Sequence, residues 1–274
     1  MRILGLEDKP FHTLAFRNVA PGRVIVTEQL PCVRAYVDNL ADGVQAIVAV
    51  SDLQGRDLEG QGQDPPRLLG ELLVEGLEAL AELGKVPPLH AVGVILAGDL
   101  FARPELDRRG GSGDVRSVWK AFVHRSRWVA GVAGNHDWFG PGWSLPHFEA
   151  FKRQASVFFL DGNIAVLDNL RIAGLSGTIG NPRRPFRRSE EDFCECVGRL
   201  ADDRPDILVM HDGPDVSGTD LKGWPSIRHV LERSPSTLVI RGHAHWHVPL
   251  AALANGTQVL NVDSRVIVLQ PTTR

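Results

Sequence analysis

Cysteine is scarce in this 274-residue chain: Cys32, Cys194 and Cys196 are the only three. An odd number rules out a closed disulfide framework, and Cys194 and Cys196 stand two apart in an expected helix, where side chains diverge. They read as free thiols of a reducing compartment. The N-terminus, Met1 to Lys9, lacks a sustained apolar stretch, so no export signal is evident and a cytoplasmic location is expected. Long apolar runs are missing throughout; none approaches the roughly 18 uncharged residues that a membrane span requires. A basic surplus is missing too. With 30 Lys and Arg against 33 Asp and Glu, the net charge of -3 does not favour nucleic acid as the main partner, although a local basic patch is compatible with that total. No internal repeat or low-complexity linker interrupts the chain, and nothing in it fixes the oligomeric state.

What the chain does contain is alternation. Apolar strand-like runs alternate with helix-like ones, which argues for layered α/β architecture. Residues 1–45 are the least typical. Arg23–Thr27 and Val33–Val37 resemble short strands separated by Pro and Gly, a small β extension packed on the core to which no chemistry is assigned. The principal domain is expected over 46–274. It opens with Ala46–Val50, apolar throughout as expected of a strand covered on both faces. Pro65 and Pro66 would start a helix carrying Leu69, Leu72, Leu73, Leu77 and Leu80 at helical spacing, with Gly84 as its stop. Further strands are expected at Val92–Ala97, Trp128–Ala133, Ile207–Met210, Thr237–Ile240, Thr257–Val262 and Val266–Leu269, and hairpin-like segments between Val157 and Ala173. A helix is expected from about Val115 to Arg125. Another starts at Ser189, where Asp192 three residues on completes a pattern like a capping box.

Five of these strands end in polar clusters: Asp52 with Gln54, Asp99, Asn135 with His136, His211, and His243 with His245. In open α/β sheets the carboxyl ends of the strands line the ligand crevice. Taken singly, a His or Asp there is more often a hydrogen-bonded structural residue. Five in one chain point to metal. Imidazoles and carboxylates together suit divalent transition ions, and a metal pair can activate water and clamp a phosphoryl group. His243 and His245 stand two apart, so in extended backbone they face the same way.

The ordered set Asp52-x-Gln54, Gly98-Asp99, Gly134-Asn135-His136-Asp137, lone His211 and Gly242-His243-x-His245 resembles the signature of calcineurin-like metallophosphoesterases. Four of its five blocks match outright. The resemblance implies an α/β fold, a four-layer α/β-β/α sandwich, with two divalent metal ions at one edge. It also implies roles: Asp52 and His245 on the first metal, Asp99 bridging both, and Asn135, His211 and His243 on the second. His136 would stabilise charge or protonate the leaving group, with Asp137 orienting its ring. The implied reaction is hydrolysis of a phosphomonoester, phosphodiester or pyrophosphate of a small molecule by a metal-bridging hydroxide.

One block departs, because Gln54 stands where the family usually has His. A Gln carbonyl can still coordinate, but as a neutral and harder donor it shifts preference toward Mn²⁺ over Fe, Zn, Ni or Co. Asp-x-Gln also resembles the branch of manganese-dependent ADP-ribose and CDP-alcohol diphosphatases, an alternative substrate class. The Asp-Arg-Gly continuation of the Ser/Thr protein phosphatases is lacking after Asp99, since Leu106–Gly110 comes too late to fit. A local basic patch does exist in Arg183-Arg184-Pro185-Phe186-Arg187-Arg188. Arg183, Arg184 and Arg187 could grip a substrate phosphate, or belong to a solvated loop before an acidic helix start. A nuclease reading would gain support from that loop lying beside the metals with Phe186 exposed for stacking. Trp138, like Phe139 and Trp143, could stack on a substrate ring or simply pack its loop. The alternative from another class is a non-catalytic metal-binding scaffold, as in the family's retromer subunit; retention of His136 favours the enzyme.

Overall fold

A computed structural model describes residues 1–58, 66–154 and 156–272. The N-terminal part forms β1 (Ile3–Leu6), β2 (His12–Ala20) and β3 (Val24–Val37); the next elements are β4 (Ala46–Ser51) and α1 (Leu69–Glu82). Then come β5 (Val92–Leu96), β6 (Gly113–Asp114), α2 (Arg116–Val123), β7 (Trp128–Gly131), β8 (Asp137–Trp138), α3 (Leu145–Lys152) and β9 (Val157–Phe159). The second half holds β10 (Asn163–Leu167), β11 (Leu170–Leu175), β12 (Thr178–Ile179), β13 (Arg187–Arg188), α4 (Glu190–Asp202) and β14 (Ile207–Met210). It closes with α5 (Pro225–Arg233), β15 (Leu238–Arg241), β16 (Leu250–Ala252), β17 (Gln258–Asn261) and β18 (Arg265–Pro271).

Two sheets dominate, one in the order β1-β3-β18-β4-β5-β7-β9 with β2 added on β3, the other β10-β11-β14-β15-β17-β16. Strand alternation fixes which residues meet. Val48, Val50, Val94 and Leu96 face α1, α2 and α3 through Leu73, Leu77, Trp119, Phe122 and Phe151. Ile47, Ala49 and Ile95 point the other way, onto Ile207, Val209 and Ile240 of the second sheet. Leu208, Met210 and Val239 then meet α4 and α5 through Phe193, Val197, Ile227 and Leu231. The result is four layers, helix, sheet, sheet, helix. Because Leu73 and Leu77 are almost wholly buried, truncating either to Ala would cost about 2–5 kcal/mol.

Local starts and stops follow the sequence in part. Ser189 caps α4, its Oγ accepting from Asp192 N at 3.1 Å. α1 begins later than its prolines suggest: Leu68 precedes it and Pro66 lies outside, while Pro65 falls outside the described residues. The two expected short strands before residue 38 are one 14-residue strand, β3. Pro31 does not break it, because pairing with β18 starts only at Cys32 and the missing N–H interrupts no bond there. Residues 24–31 of β3 therefore pair with β2 alone and project as a hairpin beyond the sheet's inner strands.

Candidate metal centre

Parallel pairing aligns the carboxyl ends of β4, β5 and β7 in the first sheet and of β14 and β15 in the second. The residues just past those ends are Asp52, Asp99, the 134–137 loop, His211 and His243. At three of them the backbone reverses abruptly into the left-handed region: Asp52 (φ 54°), Asp99 (φ 55°) and His243 (φ 69°). Such a conformation is costly for a residue with a Cβ and persists only where surrounding structure holds it. Here it turns three candidate ligands inward. Glycines make the room: a Cβ at Gly134 would lie 1.9 Å from Asp99 Oδ1, and one at Gly242 2.5 Å from Asp52 Oδ2.

Asp99, His211 and His243 each offer a ligand atom, and these lie within 4.8 Å of one another. His211 is wholly buried and its Nδ1 lies 2.8 Å from Ala97 O. Donation to that carbonyl fixes the ring so that Nε2 faces Asp99 Oδ2 at 3.4 Å, too poorly aligned for a hydrogen bond. Asn135 Oδ1 is likewise buried without a partner. Buried polar atoms are rarely left unsatisfied, so both atoms fit ligands to a cation. Asp52 Oδ2 accepts from His243 N at 2.9 Å and from Ser51 Oγ at 2.7 Å. His245 is mostly exposed and its Nδ1 lies 3.1 Å from Asp263 Oδ2, an arrangement that leaves Nε2 available. Gln54 Nε2 donates to Asp99 Oδ2 at 3.1 Å. A half-turn of this amide would place Oε1 there instead.

The electrostatics are those of a site short of positive charge. Burial pushes Asp52 up to about 7, reinforced by Asp263 and Asp99 and opposed by His211. Burial likewise acts to raise Asp99, but the charge of the neighbouring His211 outweighs it and holds the carboxyl down, near 2. His211 shows the converse: burial disfavours its charge, yet Asp99 and Asp52 lift it to about 10. His243 is depressed by burial and by His211. Divalent ions would replace that proton and satisfy the carboxylates together, so the donor set fits them.

The 134–137 loop divides differently from expectation. Asp137 does not orient the His136 ring. Its buried carboxylate accepts from three backbone amides, Asp99 N (2.9 Å), Leu100 N (2.9 Å) and Gly134 N (2.8 Å), and so ties two strand-end loops together. Burial raises it to about 6, Asp99 adding to the effect. The contact to the His136 ring comes from Ser112, whose Oγ lies 2.9 Å from Nδ1. Nothing in the run Gly110-Gly111-Ser112-Gly113 marks that serine. Asp263 was equally unassigned, though it sits two residues past β17, where the strand-end rule would have found it.

Of the residues considered for substrate, Arg187 reaches the 134–137 loop, its Nη1 lying 3.5 Å from Asn135 O. Arg183 and Arg184 are exposed in the loop before β13. Phe186 is part-buried and packs among Phe139, Trp143, Phe148 and Phe159. Trp138 is half-buried in β8, paired to Asp114. A cavity of about 460 Å³ opens directly on Asp52, Gln54, His243 and His245. No helix among the described residues is long and apolar enough to cross a membrane.

The family model described as calcineurin-like phosphoesterase matches residues 46–247. No curated protein matches the chain. Among solved structures, the protein TT1561 of Thermus thermophilus superposes with a TM-score of 0.50 at 16% identity, over 82% of this chain and 88% of that one. The phosphopantetheinyl hydrolase PptH from Mycobacterium tuberculosis gives 0.45 at 16% identity, over 81% and 90%. A hypothetical protein, also from Thermus thermophilus, gives 0.44 at 16% identity, over 79% and 75%. At 16% identity the likeness to TT1561 is one of fold.

Proposed function

Because the chain belongs to the calcineurin-like phosphoesterase family, a group of metal-dependent hydrolases of phosphoester bonds, we propose that it hydrolyses a small phosphorylated molecule at two divalent ions beside Asp99. The observation that carries this reading is the convergence of Asp99, His211 and His243 within 4.8 Å, together with the unpartnered Oδ1 of Asn135, whose neighbour His136 donates its N–H to Asp99 Oδ1. Asp52, Gln54 and His245 would hold the first ion, Asn135, His211 and His243 the second, and Asp99 both. When bound, the ions would supply an activated water and neutralise the charge of the phosphoryl group under attack. Gln54, a neutral oxygen donor, favours manganese among the transition ions. The catalytic residues all fall within 46–274, and residues 1–45 extend its sheet.

The remaining chemistry belongs to the protein. His136 would deliver a proton to the departing oxygen. If Ser112 Oγ donates to Nδ1, the proton of the neutral ring sits on Nε2, the nitrogen left to face substrate. Asp137 holds the loop that carries His136 against the loop that carries Asp99. Arg187 would contact the substrate's phosphate from the second sheet's side.

The test is hydrolysis of bis-p-nitrophenyl phosphate by the purified chain with added Mn²⁺. Turnover is expected with metal and a loss of about 100-fold or more in kcat for His136→Ala. Failure with every divalent ion tried, or undiminished turnover in that variant, would overturn the reading.

A further inference from the structure

The N-terminal hairpin, to which the sequence assigned no chemistry, forms the wall of the candidate site opposite the metal ligands. Asn18 and Glu28, hydrogen-bonded diagonally across β2 and β3, line the same 460 Å³ cavity as Asp52 and His245, together with the apolar Phe16 and Leu30. Its remaining edge comes from Arg109, on the loop between β5 and β6. That loop is shaped around the site. Gly110 and Gly111 both have positive φ (70° and 117°), and a Cβ at Gly110 would lie 2.8 Å from Gln54 Oε1. The positive φ at both positions favours glycine, and the residue just before this turn, Arg109, lines the cavity. Two residues on, Ser112 reaches His136.

Arg109 does not hang loose. One of its Nη2 hydrogens is given to Glu28 Oε1, and Glu28 Oε2 in turn accepts from the buried Asn18 Nδ2 at 2.9 Å. Glu28 is thereby satisfied on both oxygens, its charge offset by the guanidinium it pins. The guanidinium carries five N–H donors in a rigid fork, and the Glu28 contact engages one nitrogen. Its side chain is about half exposed, at 53%, on the cavity's rim. A guanidinium held by Glu28, with donors to spare and lining the same cavity as Asp52, His243 and His245, fits a second anion.

On the reading that this is a phosphoesterase, we propose that Arg109, held by Glu28, is a specificity-determining residue that binds a second phosphate of the substrate. The preferred substrate class is then a diphosphate, or an ester carrying a further phosphate beyond the one attacked. Arg109 acts on binding, so its removal should appear mainly in KM.

The experiment compares kcat/KM for diphosphates such as ADP-ribose and CDP-choline with that for bis-p-nitrophenyl phosphate, using the full chain loaded with Mn²⁺. In Arg109→Ala the ratio of the two should fall by roughly 10- to 100-fold, as expected for loss of a charge-assisted pair of hydrogen bonds. Arg109→Lys, which keeps the charge without the fork, should fall between. Glu28→Gln should lower the ratio less than Arg109→Ala. Arg108→Ala removes the same charge one residue away, outside this cavity's lining, and should leave the ratio unmoved. An unchanged ratio in Arg109→Ala, an equal fall in Arg108→Ala, or wild-type protein that hydrolyses bis-p-nitrophenyl phosphate and no diphosphate would each overturn the proposal. Wild-type protein inactive on both substrate types would instead overturn the phosphoesterase reading itself.

Discussion

Replacing Asp137 separates two ways in which a carboxylate beside a catalytic imidazole can matter. If it oriented the ring, Asp137→Asn would disturb turnover and leave folding nearly untouched. The structure gives it a different task, since both oxygens are committed to the amides of Asp99, Leu100 and Gly134. Asp137→Ala would leave three buried N–H groups without an acceptor. Each orphaned donor costs about 1–3 kcal/mol, so partial relaxation still leaves a loss of about 3–6 kcal/mol. That is a large share of the roughly 5–15 kcal/mol that holds a typical protein folded, and Asp137→Ala could fail to fold. Asp137→Asn is the sharper variant. Its Oδ1 replaces one acceptor, its Nδ2 meets a donor head-on, and removing a buried charge returns part of the cost; we expect a net loss of about 1–3 kcal/mol. His136→Ala, which removes one half-buried ring with one side-chain contact, should cost less than about 1 kcal/mol. The assay is urea unfolding of the metal-free protein at constant m-value, with kcat measured in parallel. A midpoint for Asp137→Asn equal to wild type, together with a kcat as low as that of His136→Ala, would refute the bracing role.

Three further outcomes are expected. Ser112→Ala should lower kcat about 10-fold and alter its pH profile while the protein retains its full complement of bound metal; parallel loss of metal would show that Ser112 supports the site generally. For the metal-free protein, the raised Asp52 and Asp137 (about 7 and about 6, against 3.8) mean that the folded chain holds more protons than the unfolded chain between about pH 4 and 7, so stability falls as pH rises through that window. His211, raised from 6.5 to about 10, acts in the same direction: its contribution is complete below 6.5 and is lost as pH rises through 10. His243, held below 6.5, acts the other way near that value, but the three raised groups outweigh it, so the melting temperature in chelator should be higher at pH 5 than at pH 9, and a rise toward pH 9 would refute these assignments. Lastly, burial pushes the Cys32 thiol up to about 12, so it should resist a thiol reagent until the chain is unfolded. Labelling of Cys32 in native protein at the rate of its unfolded form would count against the packing of β3.

How far the site was legible depends on whether a residue acts through its position along the chain or across it. Asp52, Asp99, Asn135, His211 and His243 were readable because each follows an apolar strand, and parallel sheets place such ends side by side. Ser112, Asp137 and Arg109 act across the chain: Ser112 meets a ring 24 residues on, and Asp137 accepts from amides 37 and 38 residues back. No local period encodes such pairings. The hairpin was hidden for a related reason. Pro31 reads locally as a break between two short strands, whereas the register with β18 makes it harmless. Helices α3 and α5 escaped because both are short and start with proline close to their first turn, where Pro suggests a loop as readily as a helix.

The placing of β18 between β3 and β4 has a consequence for how the molecule comes together. Arg265–Leu269 pair with Ser51–Ile47 on one side, and Val266–Pro271 with Cys32–Val37 on the other. Until those residues arrive, some 210 positions after β4, both β3 and β4 present open edges to any other strand. Contacts of such long range close slowly, so the unfinished sheet is the form of this chain most exposed to mispairing. The same insertion joins the Glu28 wall to the Asp52 wall. The cavity is therefore not shaped until the sheet is closed, and refolding followed by activity should lag refolding followed by helix content.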